Sequence, residues 1–129
     1  MILKRVCAFT VKLPPVSKKN SQRIAVNSAT GRPFVLPSKQ YAQYEKDAAN
    51  FIPPLRIGYP CIVQCLFFMP TRRKCDLTNL LEAIDDVMVK HGLLQDDNYS
   101  IIAGHDGSRV FYDKEEPRTE VTIYREVDA

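Results

Sequence analysis

Residues 60–70, PCIVQCLFFMP, constrain this chain most: nine residues apolar on both faces apart from Gln64, with a proline at each end. Successive side chains of a strand point to opposite sides, so such a run has to be covered on both faces and belongs in the middle of a sheet. It is far too short to cross a bilayer, and no membrane contact is expected.

Around it the pattern alternates between strand and helix. VCAFTVKL (6–13) places Cys7, Phe9, Val11 and Leu13 on one face, which predicts a half-buried strand stopped by Pro14 and Pro15. RIAV and PFVL flank the turn-rich NSATGR, predicting a basic hairpin or extended loop. Ser38 is placed to cap a helix over KQYAQYEKDAANFI, ending at Pro53 and Pro54, because proline disfavours helix in the residue before it. In residues 77–88, Leu77, Leu80, Leu81, Ile84 and Met88 recur at spacings of three and four, within about one third of a helix circumference. Gly92 is expected to close that helix. YSIIAG, SRVFY and RTEVTIYR read as three further short strands. The expected fold is α+β: a small mixed or antiparallel sheet with two main helices, in a single domain spanning 1–129.

Cys7, Cys61, Cys65 and Cys75 contain no CxxC pair. They are expected to be core thiols rather than zinc ligands or disulfides, and the chain is expected in the cytoplasm. MILKRVCAFT interleaves charges with its apolar residues and lacks a signal-peptide cleavage pattern.

Charge is distributed unevenly. Residues 1–75 carry 13 Lys or Arg against two acids, and residues 76–129 carry 5 against 13, so a net charge of +3 conceals a basic first part and an acidic second. Such asymmetry points to a polyanion partner. The acids concentrate in CDLTNLLEAIDD, directly after the basic TRRK. Opposite its apolar stripe, the second helix carries Asp76, Thr78, Asn79, Glu82, Asp85 and Asp86. Asp76 alone would be an N-cap, and Asp96 with Asp97 alone a solvated turn. Together, an acid at a helix start, an acid pair before a strand some twenty residues later and a basic loop between strand and helix describe a Mg²⁺ site. That ion is held by one or two carboxylates plus substrate phosphate and water, and nearby Lys and Arg would hold the phosphate backbone.

LPPVSKKN, MPTRRKCDLTNLLEAIDDVMVKHGLLQDDNYS and RTEVTIYR, in that order and spacing, resemble the RusA-type Holliday junction resolvases, crossover junction endodeoxyribonucleases of phages and prophages. The resemblance implies a RusA-like homodimer that uses Mg²⁺ and clustered aspartates to nick four-way DNA junctions symmetrically in recombination and repair. Asp76 matches the first aspartate of the family's D-x-D-N-x-x-K motif and Asn79 its asparagine; Asp97 matches the metal-binding aspartate after the helix, preceded by Asp96. Two positions depart: Thr78 replaces the second aspartate and Glu82 replaces a lysine. They lie about 40° apart on the helix, so a carboxylate displaced by one turn reaches the same ion.

The expected catalytic and metal-binding residues are therefore Asp76, Glu82 and Asp97, with Asp96 as a further metal ligand. The expected DNA contacts are Lys18, Lys19, Arg23, Arg32, Arg72, Arg73, Lys74 and Asn79. Lone His91 and His105 read as structural. Cutting two symmetry-related strands of a junction calls for a C2 homodimer. The alternative is a junction- or DNA-binding module whose site has decayed, and a third reading is a nuclease acting on flaps or forks.

Overall fold

Pro60 and Pro70 bound the strand around which the sheet is built. In the computed structural model, which describes residues 2–18, 23–36 and 38–128, the elements are β1 (Ile2–Val11), β2 (Arg23–Val26), β3 (Pro33–Leu36), α1 (Lys39–Ala48), β4 (Cys61–Met69), α2 (Leu77–Lys90), β5 (Ile102–Gly104), β6 (Arg109–Tyr112) and β7 (Arg118–Val127). β4 pairs antiparallel with β7, which pairs antiparallel with β1. Its other edge takes β5 and β6, both parallel to it. The five-stranded sheet is thus mixed, and the apolar run is its central strand.

The parallel pairing dictates where α2 goes. A strand that returns parallel to its neighbour needs a crossover, and α2 is that crossover between β4 and β5. Its core line runs through Leu80, Ala83, Ile84, Val87 and Met88. Leu77 and Leu81, expected on the core face, are only partly buried. Ala83 carries too little side chain to hold the helix off the sheet, so the contact line follows it and leaves the two leucines at the margin. At the far end Gly92 adopts φ +78°. Leu93 N–H donates to the Met88 carbonyl at 3.0 Å and Gly92 N–H to that of Val89 at 3.1 Å, the bond pair of a Schellman ending.

α1 starts as expected, with Ser38 Oγ accepting from Tyr41 N–H at 3.0 Å. It ends at Ala48, short of the prolines. Asn50 is the reason: its backbone N–H and its Nδ2 both turn back to the Asp47 carbonyl, at 3.2 and 3.1 Å, replacing the next helical bonds. β2 and β3 form the expected hairpin, with Asn27 Oδ1 accepting from Ala29 and Thr30 N–H in the turn.

Cys61, Val63, Cys65 and Phe67 point from β4 into the core that α1 and α2 cover. All four cysteines are free thiols. Cys61 Sγ donates to the Ile101 carbonyl, and burial pushes its thiol up to about 11.

Candidate functional site

β4 ends at Met69 and an exposed basic segment leads into α2. Asp76 stands at the N-cap position with extended backbone, yet its side chain makes no capping bond. Its Oδ2 instead accepts from Asn79 Nδ2 at 3.3 Å. The capping role expected of an isolated Asp here is therefore not the one adopted, and the carboxylate faces outward.

Further along the helix Glu82 and Asp86 are one turn apart on the same face. Lys18, from the segment after β1, reaches both: its ammonium hydrogen-bonds Asp86 Oδ2 and lies 3.9 Å from Glu82 Oε1. The bond to Asp86 raises the lysine pKa, partly opposed by burial, with the charges of Asp86, Glu82 and Asp97 adding to the rise. Asp97 approaches from the loop beyond the helix. Partial burial raises its pKa, and hydrogen-bond contact with the carboxyls of Asp96 and Asp86 raises it further. Crowded carboxylates favour sharing a proton or a cation, and Lys18 supplies a cation from the chain itself.

The fold thus gathers Glu82, Asp86 and Asp97 around Lys18, with Asp96 beside Asp97 and Asp76 toward the helix start. Among the described residues no three His, Cys, Asp or Glu side chains are arranged to hold one ion on their own. That is compatible with Mg²⁺, which takes one or two carboxylates and completes its shell with substrate oxygens and water. The donors are hard oxygens, and the close approach of Asp86 to Asp97 is the feature of this chain that fits such an ion.

Behind this face Asp85 is mostly buried, its Oδ2 2.8 Å from His105 Nε2, while its Oδ1 is buried without a hydrogen-bond partner. His105 is held between Asp85 and the Val63 carbonyl oxygen.

Of the expected DNA contacts, Arg32 is exposed in the hairpin, and Arg72, Arg73 and Lys74 are exposed in the segment before α2. Arg73 and Lys74 line a groove bounded on its other wall by Pro14–Ser17. Asn79 is engaged with Asp76, and Lys18 stands in the acid cluster. Lys19 lies outside the described residues, as does the side chain of Arg23. Asp86, on the acidic face of the helix, was not among the expected ligands, although its i+4 spacing from Glu82 is legible in the helical pattern. The approach of Lys18 spans 68 positions of sequence and left no local signal.

No helix among the described residues is long and apolar enough to cross a membrane. Residues 13–124 match the family model described as Endodeoxyribonuclease RusA. No curated protein matches the chain.

Proposed function

The chain belongs to the RusA endodeoxyribonuclease family, phosphodiester hydrolases that resolve Holliday junctions, and from that premise we propose that it cuts four-way DNA in a Mg²⁺-dependent reaction centred on Asp86 and Asp97. The observation that carries this reading is the acid cluster gathered at Lys18: its ammonium bonds Asp86 and lies 3.9 Å from Glu82, both on α2, and burial and the neighbouring carboxyls of Asp96 and Asp86 push the pKa of Asp97, from the loop after the helix, up. Glu82 extends the set along the helix. Asp76 and Asp96 flank it.

When bound, Mg²⁺ supplies Lewis-acid polarisation of the scissile phosphate and activation of a water for in-line attack. The chain's own residues do the rest. Asp86, Asp97 and Glu82 offer oxygen ligands and, with Asp76, make the face acidic enough to need cations. Lys18 offsets part of that charge and is within reach of a phosphate seated there. Asn79 orients Asp76. Arg72, Arg73 and Lys74 draw the DNA backbone toward the acids and stabilise charge developing on the phosphate. Arg32 extends the basic surface along the junction arms, where phosphate contacts position the DNA without reading its sequence.

Two matched cuts on strands related by a two-fold axis require two such sites, and a C2 homodimer supplies them. Free core thiols such as Cys65 suit the reducing cytoplasm, where we place the reaction.

One observation favours the second reading, a DNA-binding module without cleavage: Thr78 offers a hydroxyl where the family pattern has a carboxylate. A nicking assay on a synthetic four-way junction, with and without Mg²⁺, separates the two. Cleavage of the junction, but not of linear duplex or flap controls, is expected with Mg²⁺. Binding with no cleavage under either condition selects the second reading.

A further inference from the structure

Among the described residues four arginines lie over aromatic rings, three of them at β6 or on the strand residue paired with it. Their surroundings differ. Arg118 sits 3.8 Å over Phe68, but its guanidinium is already tied to two carboxylates: Nε donates to Glu120 at 2.7 Å, and Nη1 donates to Asp113 at 3.0 Å and to the Glu116 carbonyl at 2.7 Å. Arg72 lies 4.1 Å from the centre of the Tyr112 ring, and among the described residues it pairs with no carboxylate.

The register of β6 on β4 shows which side of the sheet each stack occupies. Phe67 pairs with Val110 and Met69 with Tyr112, while Phe68 pairs with Phe111. Paired residues of a ladder share a face. Phe67 is in the core under the helices, so Tyr112 lies on the α2 side and the Arg118–Phe68 stack lies on the other. The Asp113 N–H to Met69 carbonyl bond, 2.9 Å, holds Tyr112 beside the segment that runs through Arg72 to Asp76. Both groups are open to solvent: Tyr112 is 41% exposed, and Val110, on the same face, 36%. A guanidinium held over a ring is restrained by it while the N–H groups of its edge stay available for a two-pronged bond to phosphate.

Resting on the reading that this chain binds branched DNA, we propose that Tyr112 belongs to the DNA-binding surface as a positioning residue, holding Arg72 as a preset fork for one backbone phosphate beside the acid cluster. Ring and guanidinium act as one unit. The occupant is the sugar–phosphate backbone of a strand approaching the cut site.

The test is binding of a labelled synthetic four-way junction in EDTA, titrated across salt concentrations, by the full chain and by Tyr112→Phe, Tyr112→Leu, Arg72→Ala and the double variant Arg72→Ala/Tyr112→Leu. Tyr112→Phe keeps the ring and should bind as the unsubstituted protein does. Tyr112→Leu and Arg72→Ala should each weaken binding about fivefold at low salt and shrink the salt slope by about one. The double variant should be no worse than Arg72→Ala, as expected of two groups acting through one contact. Thermal midpoints should stay together, since both residues are exposed.

An unchanged salt slope in Arg72→Ala or in Tyr112→Leu overturns the proposal. So does additive loss in the double variant, or a loss in Tyr112→Phe equal to that in Tyr112→Leu. Failure of the unsubstituted protein to bind the junction at all overturns the functional reading and this proposal with it; each of the other results overturns this proposal alone.

Discussion

Nε2 of His105 lies 2.8 Å from Oδ2 of Asp85 while Nδ1 of the same ring lies 2.8 Å from the Val63 carbonyl oxygen. A carbonyl only accepts, so Nδ1 carries a proton and donates it to Val63. The Nε2 contact with Asp85 then needs a second proton, on the imidazole or on the carboxyl. The pair binds α2 to the strand edge behind the acids, fixing the rotation of the helix that presents Glu82 and Asp86.

The first prediction follows from that proton. Burial lowers the His105 pKa, but the hydrogen bond and charge of Asp85 and the Val63 carbonyl outweigh it, and the net direction is up. Burial raises that of Asp85, with His105 pulling partly back. A folded state that holds its proton more tightly than the unfolded chain loses stability as pH rises. The His105 contribution should be fully present below about pH 6.5 and decline as pH climbs through the raised folded value. His105→Gln should cost about 1–3 kcal/mol near pH 6, because Asp85 is left buried, and should flatten the pH dependence. Thermal midpoints from pH 6 to 9 check this; parallel curves for the two proteins would refute it.

Lys18 is about 29% exposed and its partner Asp86 about 28%, so their ion pair is screened by solvent. Lys18→Met should lower the stability of metal-free protein by only about 0.5–1 kcal/mol, an effect that fades in 1 M salt, where the screening length is about 3 Å. Urea midpoints at low and high salt measure it. A loss that persists undiminished in 1 M salt would mean that Lys18 acts through packing rather than charge.

Glu82 tests whether the site has been rebuilt one turn along α2. If Glu82 is a ligand in place of a carboxylate at 78, Glu82→Gln should lower the cleavage rate by two orders of magnitude or more, about 2.7 kcal/mol at the transition state, and raise the Mg²⁺ requirement. Thr78→Asp added to it should recover part of the rate. Single-turnover rates against Mg²⁺ concentration decide. An active enzyme indifferent to Glu82→Gln leaves Asp86 and Asp97 as the ligands.

Much of this architecture was legible in the sequence because it rests on local patterns. The proline-bounded apolar run gave the central strand, alternation gave β1, and Asn27 with Gly31 gave the hairpin turn. What local pattern could not supply was pairing across distance. That β5 and β6 run parallel to β4 depends on the crossover through α2. The rotation of α2 depends on Ala83 meeting the sheet, which no helical wheel of large residues reveals. Near the candidate site, Asp76, the Asp96–Asp97 pair and the basic loop stood out by charge and spacing, whereas Glu82 was drawn in only by the resemblance to the RusA pattern. Lys18 joining Asp86, His105 joining Asp85 and Arg72 joining Tyr112 had no such signal, because each contact is made by the tertiary fold.

The most direct measurement compares the unsubstituted protein with Asp97→Asn, reading binding and strand cleavage of a synthetic four-way junction in the same Mg²⁺ sample. Asn keeps the shape of the side chain but removes an oxygen ligand and a negative charge that faces DNA. The unsubstituted protein should make paired, symmetric nicks. Asp97→Asn should bind the junction as well or more tightly while cleavage falls below detection. Nicking by Asp97→Asn at the unsubstituted rate would contradict the acid cluster as the catalytic centre.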